Sequence, residues 1–90
     1  MLSIVGAQTT GLDGGAWCAD GHSDDLPFDQ RADDGRSLCF DSPPLGEPLE
    51  LLGHALADLT LISDRSLALV SVRLCEVLPG GASLLVTRGQ

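Results

Sequence analysis

Apolar and polar positions alternate most clearly in the second half of the chain. Between Leu56 and Ser63, Ala57, Leu59 and Leu61 fall on one side and Asp58 and Thr60 on the other, the period of two that marks a strand with one buried face. Ser63-Asp64-Arg65-Ser66 supplies a turn, after which Leu67–Val77 sets Val70, Val72 and Leu74 against Ser71 and Arg73. Pro79-Gly80-Gly81 is a tight-turn sequence, because proline presets φ and glycine accepts a positive one. Ser83–Arg88 is then the predicted return strand. Upstream, Ser37–Asp41 is a short apolar run stopped by Pro43-Pro44, and Leu49–Leu52 lies between Pro48 and Gly53. The pattern predicts an all-β region of about five antiparallel strands. A helical reading of Leu51–Val77 draws on its leucines; Gly53, the Ser63–Ser66 break and the β-branched Val70 and Val72 oppose it.

The first third reads differently. Gly6, Gly11, Gly14, Gly15, Gly21, Pro27 and Gly35 punctuate scattered aspartates, which predicts mostly irregular backbone. The chain therefore divides into a loop-rich lead-in over residues 1–36 and a strand-forming part over 37–90.

Charge follows the same division. Five Lys+Arg face thirteen Asp+Glu in 90 residues, a net charge of −8. Residues 13–50 hold ten acidic groups against Arg31 and Arg36, so the whole imbalance lies there, and residues 51–90 are neutral. This balance excludes a module held to nucleic acid by phosphate contacts and opposes adhesion to an anionic membrane surface. A hydrophobic content of 43% is too high for a disordered acidic tail. No segment reads as a secretion signal or a bilayer span, and a cytoplasmic setting is the expectation. Cys18, Cys39 and Cys75 form neither a disulfide framework nor a zinc motif; pairing of Cys18 with Cys39 stays open.

Candidate chemistry is sparse. Gly21-His22-Ser23-Asp24-Asp25 begins like a G-x-S-x-G nucleophile elbow, but Asp25 stands where the closing glycine is required, and Pro27 interrupts the helix that should follow. Asp24 would also oppose negative charge developing on an acyl intermediate. His22 and His54 show no ligand spacing to another His or Cys and read as turn histidines. Asp20, Asp24, Asp25, Asp29, Asp33 and Asp34 invite a calcium reading, but their spacing is not that of a calcium loop. Neither a catalytic residue, a metal site nor a cofactor is expected.

A continuous series of motifs carries a family resemblance. It runs through Gly15-Ala16-Trp17-Cys18, Leu26-Pro27-Phe28-Asp29-Gln30-Arg31-Ala32-Asp33-Asp34 and Ser37-Leu38-Cys39-Phe40-Asp41-Ser42-Pro43-Pro44-Leu45. It continues in Pro48–Gly53, Leu59–Arg65, Val72–Val77 and Leu85–Gly89. The series resembles the C-terminal domain of CocE/NonD-family hydrolases, shared with X-Pro dipeptidyl-peptidases. The resemblance implies a jelly-roll β-sandwich, here in part, with residues 37–90 as the first portion of a truncated roll. It also implies that the Ser-His-Asp triad sits on an α/β-hydrolase domain missing from this chain. The jelly roll would be non-catalytic and would pack against that domain, shaping and covering a pocket for acyl esters or X-Pro peptides. Membership thus implies a hydrolase, although this chain has no triad of its own.

Residue roles transferred from the resemblance are structural. Asp29, Gln30 and Arg31 match the family motif as a polar clamp, with Arg31 donating its fork to a carboxylate; Asp33 and Asp34 extend it. Trp17 matches a tryptophan on a segment that approaches the catalytic domain in relatives, with simple core packing as the equal alternative. Phe28 departs from the small residue usual before Asp-Gln-Arg, and Cys39 from an aliphatic one. The alternative from another class is a stand-alone β-sandwich module binding sugar or calcium, with few aromatics to support sugar stacking.

Overall fold

The computed structural model describes residues 1–16 and 20–90. Its regular elements are two single 3₁₀ turns at Leu12–Gly14 and Ser23–Asp25, one α-helical turn α1 (Arg31–Asp34), and two strands, β1 (Val72–Val77) and β2 (Ser83–Gly89). The strands form an antiparallel hairpin. Leu78 N–H donates to Ala82 C=O at 2.9 Å and Gly81 N–H to Leu78 C=O at 2.8 Å, closing the loop. Gly81 supplies the left-handed residue at φ 93°, which only glycine adopts without strain. The predicted last hairpin is therefore present.

The register contains one irregularity. Cys75 opposes Leu85 and Leu74 opposes Thr87, so Val86 is an extra residue on β2. Such a bulge switches which side chains share a face. As a result Arg88 stands directly opposite Arg73; in an unbroken register Thr87 would stand there. One face of the hairpin carries Arg73, Cys75, Ser83, Leu85 and Arg88, all at least half-buried. Val72, Leu74, Leu84 and Val86 are open.

Among the described residues the chain forms two strands where its pattern predicts about five. Segments 37–41, 49–52 and 56–63 carry no ladder. Alternation makes a segment competent to be a strand, but a strand exists only with a hydrogen-bonded neighbour. Their apolar side chains are exposed, including Phe40 at 77%, Leu52 at 107% and Ile62 at 86%.

The global dimensions agree. The accessible surface is 8292 Å², against roughly 5,000 Å² for a compact folded monomer of this mass. The radius of gyration is 14.5 Å, where a compact domain of this length gives about 12 Å. No hydrophobic residue is buried among those described; the buried polar side chains are Gln30, Asp33 and Ser83. No helix among the described residues is long and apolar enough to cross a membrane.

Candidate functional site

The best-packed region joins the lead-in to the hairpin. It begins where two stretches of the lead-in meet: Ala16 N–H donates to Asp25 C=O at 2.8 Å, and Phe28 N–H to Asp13 C=O at 2.9 Å. Gly15 between them has φ 75° and ψ 176°, a combination open essentially to glycine alone. A Cβ there would lie 2.7 Å from Asp25 C=O and 2.8 Å from the Pro27 nitrogen. Sequence and packing thus demand the same residue.

From this loop the Asp29-Gln30 pair reaches β2. Ser83 N–H donates to Asp29 Oδ1 at 3.0 Å, and Gln30 N–H donates to Ser83 C=O at 2.8 Å. Because the Leu78–Ala82 bond points into the hairpin, alternation turns the backbone groups of Ser83 outward. Asp29 and Gln30 therefore complete one rung on the outer edge of β2. Buried Gln30 also donates from Nε2 to Asp13 C=O and Phe28 C=O, each at 2.7 Å. Its Oε1 accepts from Arg73 Nη1 at 2.7 Å. Every polar function of this amide has a partner, which is what its complete burial requires.

Arg73 is the hub. Its Nη2 donates to Asp34 Oδ1 at 3.0 Å and Ser37 Oγ at 3.2 Å, and its Nη1 lies 3.9 Å from Asp33 Oδ2. Asp33 Oδ2 and Ser83 Oγ are buried without a hydrogen-bond partner among the described residues. Ser37 Oγ in turn donates to Asp33 C=O at 2.7 Å. Directly opposite on β2, Arg88 Nη1 donates to Gly14 C=O at 2.7 Å.

Of the residues singled out in the sequence, Asp29, Gln30, Asp33 and Asp34 come together around β1 and β2. The fork of Arg31 folds back onto Asp29, with Nε and Nη2 each 2.8 Å from Oδ2, and its side chain stays 60% exposed. Hydrogen bonds from Ser83 N–H, then from the Arg31 side chain and backbone, hold the Asp29 carboxyl below the usual carboxylate range. Trp17 lies outside the described residues, as does Cys18. Cys39 and Cys75 are free thiols. The Cys39 thiol donates to Asp34 C=O at 3.3 Å; desolvation of the sulfur, then the charges of Asp34 and Asp41, push its pKa up. Phe28, where the resemblance has a small residue, is 56% exposed.

Sequence reasoning missed Arg73 and Arg88 as parts of this region. Arg73 showed only as a polar position in a strand, and the pairing with residues 30–37 is long-range. The acidic residues do not converge on a cation: among the described residues no group of three or more His, Cys, Asp or Glu is arranged to hold a metal. Asp29, Asp33 and Asp34 are turned to Ser83, Arg31 and Arg73 instead. Ser23 of the elbow-like motif lies on a 3₁₀ turn preceded by His22, whereas an elbow requires a strand-to-helix corner.

A loop fastened to a β-hairpin by a buried polar cluster is thus the structural class of this region. Residues 5–90 match the family described as the X-Pro dipeptidyl-peptidase C-terminal non-catalytic domain, and the chain belongs to that family. Two curated relatives, each named "Putative serine esterase", come from Mycobacterium bovis and Mycobacterium tuberculosis; each is 37% identical over 62 residues. The matched stretch is 69% of this chain and 10% of either relative. No solved structure matches the chain.

Proposed function

We propose that this chain is an accessory, non-catalytic portion of a serine hydrolase acting on acyl esters or X-Pro peptides. Its catalytic partner is an α/β-hydrolase domain, which this portion helps to cover at the substrate pocket. The complete accessory unit is a jelly-roll sandwich, in which segments 37–41, 49–52 and 56–63 gain the strand partners they lack here.

One observation carries the reading beyond family membership. The open face of the hairpin, Val72, Leu74 and Val86, and the extended segment 51–57 line an apolar groove of about 890 Å³. Large apolar side chains left open beside one another, Leu52 at 107%, Leu56 at 96% and Val86 at 55% exposure, are the kind of surface a partner covers. The polar cluster supplies a rigid base for that surface without a nucleophile.

The test is a chimera. Replacing the matching stretch of the mycobacterial relative with this one should preserve whatever ester hydrolysis the relative shows. The 90-residue chain alone should give no ester turnover that a serine-directed inhibitor abolishes. Inhibitor-sensitive turnover by the isolated chain, or complete loss of activity in a soluble chimera, overturns the proposal.

A further inference from the structure

Two free thiols, Cys39 and Cys75, flank the seam between the loop after α1 and the hairpin. Arg73 fixes this seam, donating from Nη2 to Asp34 Oδ1 at 3.0 Å and to Ser37 Oγ at 3.2 Å. The Cys39 sulfur is folded back onto the same two residues, 3.3 Å from Asp34 C=O and 3.9 Å from Ser37 C=O. Cys75 follows Arg73 by two positions on β1, so both project from the same, enclosed face. Besides desolvation and the charges of Asp34 and Asp41, the groups that act electrostatically on the Cys39 sulfur are Arg73 and Cys75. Its neighbours across the seam are thus the two side chains that β1 presents there.

The two thiols differ in freedom. Cys75 sits in a ladder, half-buried and opposite Leu85. Cys39 is exposed, on a segment without a ladder, so backbone rotation there can carry its sulfur to Cys75 without breaking strand pairing. A disulfide needs Cα atoms about 4.4–6.8 Å apart, a spacing that a residue outside any ladder can adopt. The bond would close a loop that carries segments 49–52 and 56–63 and the 51–57 wall of the apolar groove.

We propose that Cys39 and Cys75 are a thiol–disulfide latch that fastens segment 37–41 to β1. This inference is independent of the accessory-domain reading. The oxidant is a small disulfide. The Cys39 thiolate, on the exposed side, attacks one sulfur of that disulfide; its S–S bond breaks and one thiolate leaves. The Cys75 thiolate then attacks the Cys39 sulfur of the mixed disulfide, and the second thiolate leaves. The two cysteine protons end on the two released thiols, so the oxidant gains two electrons as the protein disulfide forms.

The 90-residue chain is equilibrated with oxidised and reduced glutathione, alkylated and cut with trypsin. Cleavage after Arg36, Arg65, Arg73 and Arg88 releases Cys39 in peptide 37–65 and Cys75 in peptide 74–88. These two peptides should be found joined, in equal yield from the natural chain and from Cys18→Ser. Cys39→Ser or Cys75→Ser should abolish the joined species. In concentrated urea the ratio of joined to reduced chain should fall by about tenfold or more, as the seam opens and the effective concentration of one thiol at the other is lost. A mixture of isotopically labelled and unlabelled chain separates a link within one chain from a link between copies. Glutathione adducts in place of the link, pairing of Cys18 with either thiol, joined peptides of mixed isotope content, or an undiminished ratio in urea overturn the proposal.

Discussion

Asp29 shows how one side chain links chemistry to folding in this protein. Its carboxylate accepts from Ser83 N–H at 3.0 Å and from Arg31 Nε at 2.8 Å, and these bonds depress its pKa. A folded-state pKa below the unfolded one means that the carboxylate stabilises the docked loop above the ordinary carboxyl pKa. That contribution is lost as pH falls through the depressed value. Hydrogen-exchange protection of the Ser83 amide should accordingly be constant near neutrality and decline below about pH 4. Asp29→Asn should remove the pH dependence and lower the protection throughout; protection that persists unchanged in acid would show that Asp29 does not hold Ser83. Asp-Gln-Arg was legible as a motif, and its reading as a polar clamp was what the family resemblance implied. Its target was not, because Ser83 lies 54 positions along the chain and alternation gives no hint of which strand edge a loop will meet.

At the scale of elements, the hairpin is joined to α1 and the loop around it through polar groups. Arg73 of β1 binds Gln30, Asp34 and Ser37 at 2.7–3.2 Å, with its side chain only 15% exposed. Removing it leaves a buried amide oxygen and carboxylates without their cation. Arg73→Met should lower stability by roughly 3 kcal/mol, the cost of breaking a buried pair from one side. Arg65, whose contact with Asp64 spans 4.0 Å at 82% and 91% exposure, is the control. Arg65→Met should leave the urea midpoint unchanged, as expected for a solvated surface pair. Equal midpoints for both variants would contradict the hub role of Arg73. The turn at Pro79-Gly80-Gly81 and the flanking strands were legible because φ preference and period-two alternation are local. The bulge was not, since nothing in Leu84-Leu85-Val86-Thr87-Arg88 marks which residue will be extra; pairing with β1 decides it.

At the scale of the whole molecule, the apolar side chains predicted to build a core are on the outside. Val72 and Leu74 are 37% and 40% exposed while Arg73 between them is largely enclosed. The chain in dilute solution should therefore bind an apolar-surface dye strongly and self-associate as concentration rises, through its open groove and unladdered segments. Light scattering showing a strict monomer, with no dye binding, would contradict this. The sequence by itself determined the acidic lead-in, the final hairpin with its glycine turn, the Asp-Gln-Arg motif and the family resemblance. These rest on local conformational preference and on residue order. Only the tertiary structure decided that the polar face of the hairpin is the enclosed one and that Arg73 and Arg88 stand opposite each other. It also decided that three strand-competent segments remain without ladders. Each of those outcomes depends on a partner distant in sequence: burial follows whichever surface finds a complementary one, and here Gln30, Asp33 and Asp34 meet the polar face while the apolar face stays open.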